Sequence, residues 1–250
     1  MWQTVFALTY KNLRQRYNQA HLKSAWTLLQ PLIGPGVLTL VFSRIARFSS
    51  EGVPYPVFSL TGIIPWSFFL VSTLLSCGSL LGNKPLLLRI PFPRIAVPLS
   101  CVLTAFADFL VSFAVLLVIL PFVHHTPGPA ALWLIPVIVI QCLLHAGLAL
   151  LLSISSVYYR DIPHIVRSAL PLGMLVSPVA YSANIALERT HGLARFNPLF
   201  GIIDAYHRVL LHGQAPDLFS ISVSFIFSAA LFVLGFWLFS RGQDEALDFA

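Results

Sequence analysis

Long apolar runs separated by short polar stretches dominate the chain. Six of them approach the ~20 residues that a helix needs to cross the hydrocarbon core of a bilayer. They cover residues 25–42, 57–81, 97–122, 131–157, 168–186 and 218–240. The first carries Pro31, Gly34, Pro35 and Gly36, and the fifth carries Pro171, Gly173 and Pro178. Breakers survive in membrane helices only where neighbours or a cavity satisfy the freed backbone groups. These two spans are therefore expected inside the bundle or along a pathway. The fourth is long enough to tilt.

Residues 1–24 mix apolar and basic positions. At ~100° per residue, Trp2, Val5, Phe6, Leu13 and Tyr17 share one face, and Gln3, Thr4, Lys11, Arg14, Gln15 and Asn18 share the other. Leu8 interrupts the pattern. Asn12 and Arg16 sit at the boundary, where the Arg16 stem can snorkel. The pattern predicts an amphipathic helix lying in the membrane interface. A secretory signal has basic residues before its apolar run, and here the order is reversed.

Between the fifth and sixth spans, residues 184–217 are apolar for a loop, and residues 198–212 are patterned as a short amphipathic helix. So apolar a segment is expected to pack back onto the membrane as a re-entrant or gate helix pair at the outer mouth. The fold class is then an all-α membrane protein. It has an interface helix (1–24), a six-helix domain (25–240) and a tail (241–250).

Composition sharpens this reading. Only 10% of residues are charged and 57% are hydrophobic, against about 25% charged in soluble domains. The chain lacks the polar groups to cover a globule, which excludes a soluble enzyme, a nucleic-acid-binding domain and a disordered chain. The net charge of +6 is explained by basic anchors on one side of a membrane. With the N-terminus inside, the cytoplasmic parts hold Lys11, Arg14, Arg16, Lys23, Lys84, Arg89, Arg94, Arg160, Arg167 and Arg241. The outside holds Arg44, Arg47, Arg189, Arg195 and Arg208. The excess favours both termini in the cytoplasm. Cys77, Cys101 and Cys142 lie in apolar runs and read as small core residues.

Two ionisable groups fall near mid-bilayer. Asp108 lies roughly 16 Å into the third span at 1.5 Å per residue, and His145 lies at a similar depth in the fourth. Such groups are expected to face the bundle and to find a partner. Pairing of Asp108 with His145 is the structural expectation, and a proton relay is the functional alternative. The aromatic residues Trp26, Trp66, Phe68, Phe69, Trp133, Trp237 and Phe239 fall near expected interfaces and read as a belt. Trp26, Phe42 and Tyr181, on the broken spans, also offer stacking faces to sugar rings.

The basic loop 82–96, GNKPLLLRIPFPRIA, reads either as a docking element for a cytoplasmic partner or as a charge anchor. The turn 158–164, YYRDIPH, sets Arg160 beside Asp161. The chain contains no G-x-x-x-x-G-K-[ST] loop for ATP phosphates, no H-E-x-x-H, no CxxC and no G-x-S-x-G elbow. No catalytic residues, metal ligands or cofactor are expected on this chain.

Several strings go further. KNLRQRYNQAHLKSAWTLLQPL (11–32), LTGIIPWSFF (60–69), Gly82–Asn83 with Pro91–Phe92–Pro93–Arg94, VYYRD (157–161), Ser177–Pro178–Val179 with Tyr181, and Asn197–Pro198–Leu199 occur in order along the chain. Together they resemble the ABC-2 type permeases that export polysaccharides, the O-antigen and teichoic acid exporter permeases. The outer loop SANIALERTHGLARF lacks the proline of many members.

The resemblance implies a homodimer working with two copies of a separate ATPase, which binds ATP and Mg. The cargo it implies is an undecaprenyl-linked glycan carried across the bacterial inner membrane. Lys84, Arg89, Pro91, Phe92, Arg94, Arg160 and Asp161 would couple to the ATPase. Arg14, Arg16 and Tyr17 would belong to the interface helix. Trp26, Gln30, Phe42 and Tyr181 would line the translocation path. Alternative cargoes are teichoic acid, capsule, a drug or a lipo-oligosaccharide. An intramembrane lipid-glycan enzyme is the reading from a different class.

Overall fold

The computed structural model describes residues 1–18, 52–123 and 128–243. The first expected span, with Trp26, Gln30 and Phe42, lies outside the described residues. All regular structure among the described residues is helical. Helices α1 (Trp2–Asn18), α2 (Tyr55–Ser76), α3 (Ser79–Gly82), α4 (Lys84–Arg89) and α5 (Ala96–Ile119) come first. Then follow α6 (Leu134–Tyr158), α7 (Ile162–Val176), α8 (Ala183–Arg189), α9 (Pro198–Leu211) and α10 (Leu218–Gly242). Single 3₁₀ turns at Leu120–Val123 and Pro129–Trp133 extend the facing ends of α5 and α6, and a third covers Leu193–Phe196.

Four helical segments are long and apolar enough to cross a membrane: Tyr55–Ser76, Ala96–Val123, Pro129–Tyr158 and Leu218–Gly242. They correspond to the second, third, fourth and sixth expected spans. The second stops five residues early, because Gly78 adopts a left-handed conformation (φ 69°) and starts the separate turn α3.

The fifth expected span is corrected. Helix formation begins at Ile162 and ends at Val176, so α7 is only ~22 Å long. Ser177 is extended (ψ 146°), as the residue before a proline tends to be, and Pro178 cannot continue the ladder. The chain bends through 177–182 and restarts as α8. The Ser182 hydroxyl caps α8 by accepting from the Asn184 N–H at 3.2 Å.

Helices α6 and α10 form the most extensively packed pair. Without hydrophobic drive between helices in lipid, close backbone approach supplies the dispersion energy, and this requires small residues. Gly147 and Gly235 provide the crossing point. A Cβ on Gly147 would sit 2.6 Å from the Phe232 backbone nitrogen, and one on Gly235 would overlap the Gly147 carbonyl.

The largest apolar core joins α2, α5, α6 and α9, with Phe58, Phe68, Phe109, Leu116, Ile202 and Tyr206 nearly inaccessible. A second, smaller core gathers α1, α3, the start of α5 and the far ends of α6 and α10, through Val5, Leu8, Leu80, Val97, Val157 and Phe239. Trp66, Phe68 and Phe239 are therefore core residues and not belt residues. Trp133 and Trp237 stay exposed, and Arg241 stacks 4.3 Å over the Trp237 ring.

The face of α1 also differs from the wheel. Val5, Leu8 and Thr9 are buried, whereas Trp2, Phe6 and Tyr10 form an exposed aromatic ridge. Three polar contacts fix the register. Thr9 Oγ1 donates to the Ser100 carbonyl (3.4 Å), Asn12 Nδ2 to Thr104 Oγ1 (3.5 Å), and Arg16 Nη1 to Asp108 Oδ2 (2.6 Å). Residue numbers rise together on both helices, so α1 runs parallel and side by side with α5.

Candidate coupling surface and membrane core

Asp108 and His145 do not pair. Arg16 holds the Asp108 carboxylate in an ion pair. The matching signal in the sequence is the row Ser100, Thr104, Asp108 and Ser112, spaced by four on one face of α5. That row faces Thr9, Asn12 and Arg16 on α1 at the first three of its positions. His145 is buried, and neither ring nitrogen has a hydrogen-bond partner among the described residues. Its ring lies edge-on to Phe68 at 4.1 Å between centroids and 5.7 Å from Phe69.

Helix α9 matches the expected amphipathic helix 198–212 in extent and packs against α2, α6 and α10. Asn197 caps it by accepting from the Leu199 N–H (3.0 Å), and Pro198 takes the first helical position. All its residues except Pro198 and Arg208 are buried. Its polar groups are used inside the protein. Tyr206 Oη donates to Gln141 Oε1 (2.8 Å), and Gln141 Nε2 donates to the carbonyl of Pro65 within α2 (2.9 Å). A His207 ring nitrogen lies 3.2 Å from the Phe58 carbonyl, and Arg208 Nε donates to Asp204 Oδ2 at 2.8 Å. What reads as a wet face is a satisfied polar network packed inside the protein.

At the start of α10, burial pushes the Asp217 carboxyl up. Bonds from the Ser220 hydroxyl and N–H, with Arg195 and Arg208 nearby, outweigh this and hold it below its ordinary value.

The smaller core carries the basic loop. Leu86, Leu87 and Phe92 pack against it from one side, which leaves Leu88, Arg89, Ile90 and Pro91 exposed. Lys84 is half-buried, next to Asn83, whose side-chain Oδ1 accepts from Lys11 Nζ at 2.9 Å. Arg94 donates to the Gln243 carbonyl at 2.6 Å and so ties the loop to the end of α10. Arg160 and Asp161 are exposed in the turn between α6 and α7. The α6 end of that turn belongs to the same small core through Val157. The structure thus brings Arg89, Pro91, Arg160 and Asp161 to one end of the molecule as exposed groups. Arg14 is exposed on α1, and Tyr17 lies in the last turn of α1.

Residues 3–211 match the model of the ABC-2 type transporter family. The chain belongs to the ABC-2 type transporters. Its spans, its bent fifth segment and its loop helices are thus those of a multi-pass transporter membrane subunit. An O-antigen export system permease protein of Klebsiella pneumoniae is 26% identical over 242 residues, covering 96% of this chain and 92% of that one. A permease of the same name from Myxococcus xanthus is 28% identical over 220 residues, covering 85% and 82%. A polysialic acid transport protein of Escherichia coli is 20% identical over 248 residues, covering 98% and 95%. Within this ABC-2 subunit, Tyr181 sits in the bend after α7 and donates its hydroxyl proton to the Leu175 carbonyl at 2.9 Å.

Proposed function

We propose that this chain is the permease of an exporter that moves a lipid-linked, O-antigen-like polysaccharide across the bacterial cytoplasmic membrane. The observation that carries the reading is the near full-length similarity to permeases named for O-antigen export, 96% of this chain against 92% of the Klebsiella pneumoniae protein. A capsule-type acidic polysaccharide is the second reading, favoured by the polysialic acid transport protein of Escherichia coli.

In this proposal two copies form the conduit, and two separate ATPase subunits bind ATP and Mg and drive it. Both termini face the cytoplasm, following the basic-residue excess. The ATPase docks at the exposed end formed by Arg89, Pro91, Arg160 and Asp161, with Lys84 and Phe92 beneath. Arg94 belongs to the same docking end, and its guanidinium also braces the loop by holding the Gln243 carbonyl. Trp26, Gln30, Phe42 and Tyr181 line the path. Helices α8 and α9 form the outer gate, and the lightly packed α7 moves against a fixed α9. The contrast in burial supports this division: only Leu170 of α7 is buried, against twelve residues of α9.

The test is surface polysaccharide in cells lacking the chromosomal permease and supplied with this chain and its ATPase. The wild type is expected to restore it. Arg89→Glu should reduce it at least about tenfold, the effect of ~1.4 kcal/mol of lost coupling, with membrane levels of the chain unchanged. Full export by Arg89→Glu would remove the docking assignment. No export by the correctly inserted wild type would overturn the cargo assignment.

A further inference from the structure

A cavity of about 660 Å³ opens between the end of α7, the bend after it and the α8–Leu193–Asn197 segment. Its volume is within the ~300–1,000 Å³ of ligand sites. The wall is mainly apolar, from Met174, Leu175, Val176, Ile185 and Leu193. Leu175, Val176 and Leu193 are each 60% exposed or more, so the cavity has an apolar rim at the protein surface.

Four polar side chains reach the wall, and three are already used. Tyr181 Oη donates to the Leu175 carbonyl. Thr190 Oγ1 donates to the Ala186 carbonyl (2.7 Å) and accepts from the Ala194 N–H (3.1 Å). Asn197 donates to Ser177 Oγ (3.2 Å) and accepts from the Leu199 N–H (3.0 Å). The fourth, Arg189, is exposed at the end of α8 and has no hydrogen-bond or ion-pair partner among the described residues. Glu188 precedes it, but adjacent helical positions point apart.

An apolar cavity with a single unspent guanidinium at its rim fits an amphiphile with a hydrocarbon chain and an anionic head. Guanidinium binds phosphate oxygens in bidentate fashion. The packing around α7 points the same way. With only Leu170 buried, the end of α7 presents an apolar surface to the cavity, and an acyl chain lying there gains dispersion contacts with it.

We propose that this cavity holds an acyl chain of an anionic membrane phospholipid, with its phosphate on Arg189, as a lipid wedge between α7 and α8. The assignment does not depend on which cargo the transporter carries. A polyprenyl phosphate has the same two features. The exposed apolar rim of Leu175, Val176 and Leu193, on a chain with helices that cross a membrane, favours a bulk lipid of the leaflet.

Native mass spectrometry of the full-length chain purified in mild detergent tests it. After delipidation, dioleoyl phosphatidylglycerol, undecaprenyl phosphate or glycerol phosphate is added back. Wild type is expected to retain phosphatidylglycerol at least tenfold better than Arg189→Gln, and better than Leu193→Trp, which narrows the opening. Neither exposed substitution removes a core contact, so both variants should melt like the wild type. Equal retention by all three proteins would overturn the site. Preference for undecaprenyl phosphate would overturn the phospholipid assignment, and binding of glycerol phosphate alone would leave no role for the chain. Crosslinking of Ile185→Cys to a cysteine placed within residues 25–42, in lipid-free protein, would show that the first apolar run fills the cavity and would also overturn it.

Discussion

Gly147→Leu is expected to abolish recovery of a folded, monodisperse protein, the largest effect of any single substitution considered. The side chain would enter the α6–α10 crossing, where even a Cβ meets the Phe232 backbone at 2.6 Å. Overpacking against movable side chains costs about 1–3 kcal/mol. Here the obstacle is backbone, so the helices must separate and lose the close contact that holds them. Gly147→Ala should already lower the melting temperature clearly. Gly128→Ala is the control, since nothing lies within 4 Å of its added methyl. Fluorescence-detected size exclusion and thermal melts read both. A wild-type melt for Gly147→Leu would refute the α6–α10 packing.

The second large effect is expected at Arg16 and Asp108. Arg16→Ala removes an ion pair from a carboxylate on a membrane helix, a loss on the order of 2–3 kcal/mol on insertion scales. Asp108→Asn removes the charge with its need and should cost less. Exchange of the pair, Arg16→Asp with Asp108→Arg, should recover much of the loss, because α1 and α5 run parallel and keep the register. A double-mutant cycle on the melting temperature and on export isolates the pair term. Simple additivity of the single changes would remove the ion pair from the account.

The spans at α2, α5, α6 and α10 are legible because length and hydropathy suffice to set them. The extent of α9 is legible too, from Asn197–Pro198 at its start and the periodicity after it. Its depth is not. Asp204, His207 and Arg208 look like a solvated face, and only the fold shows that Phe58 and their own neighbours satisfy them. The same limit applies to Asp108. Its depth predicts a partner, but a partner is chosen by helix adjacency, and nothing local in the chain states that α1 lies along α5. The signal that could have found it is the four-residue row from Ser100 to Ser112 facing Thr9, Asn12 and Arg16. In the fifth span the prolines are legible as breakers. That Ser177–Pro178 ends the helix, whereas Pro171 is absorbed within it, depends on packing around the bend.

The most direct measurement of the central claim is ATPase activity of the chain co-purified with its candidate ATPase in lipid vesicles, with and without the lipid-linked glycan. A stable complex is expected, whose hydrolysis rises when the glycan is added and loses that rise in Arg89→Glu with basal hydrolysis retained. Failure of any ATPase subunit to associate, or hydrolysis indifferent to every lipid-linked glycan, would contradict it.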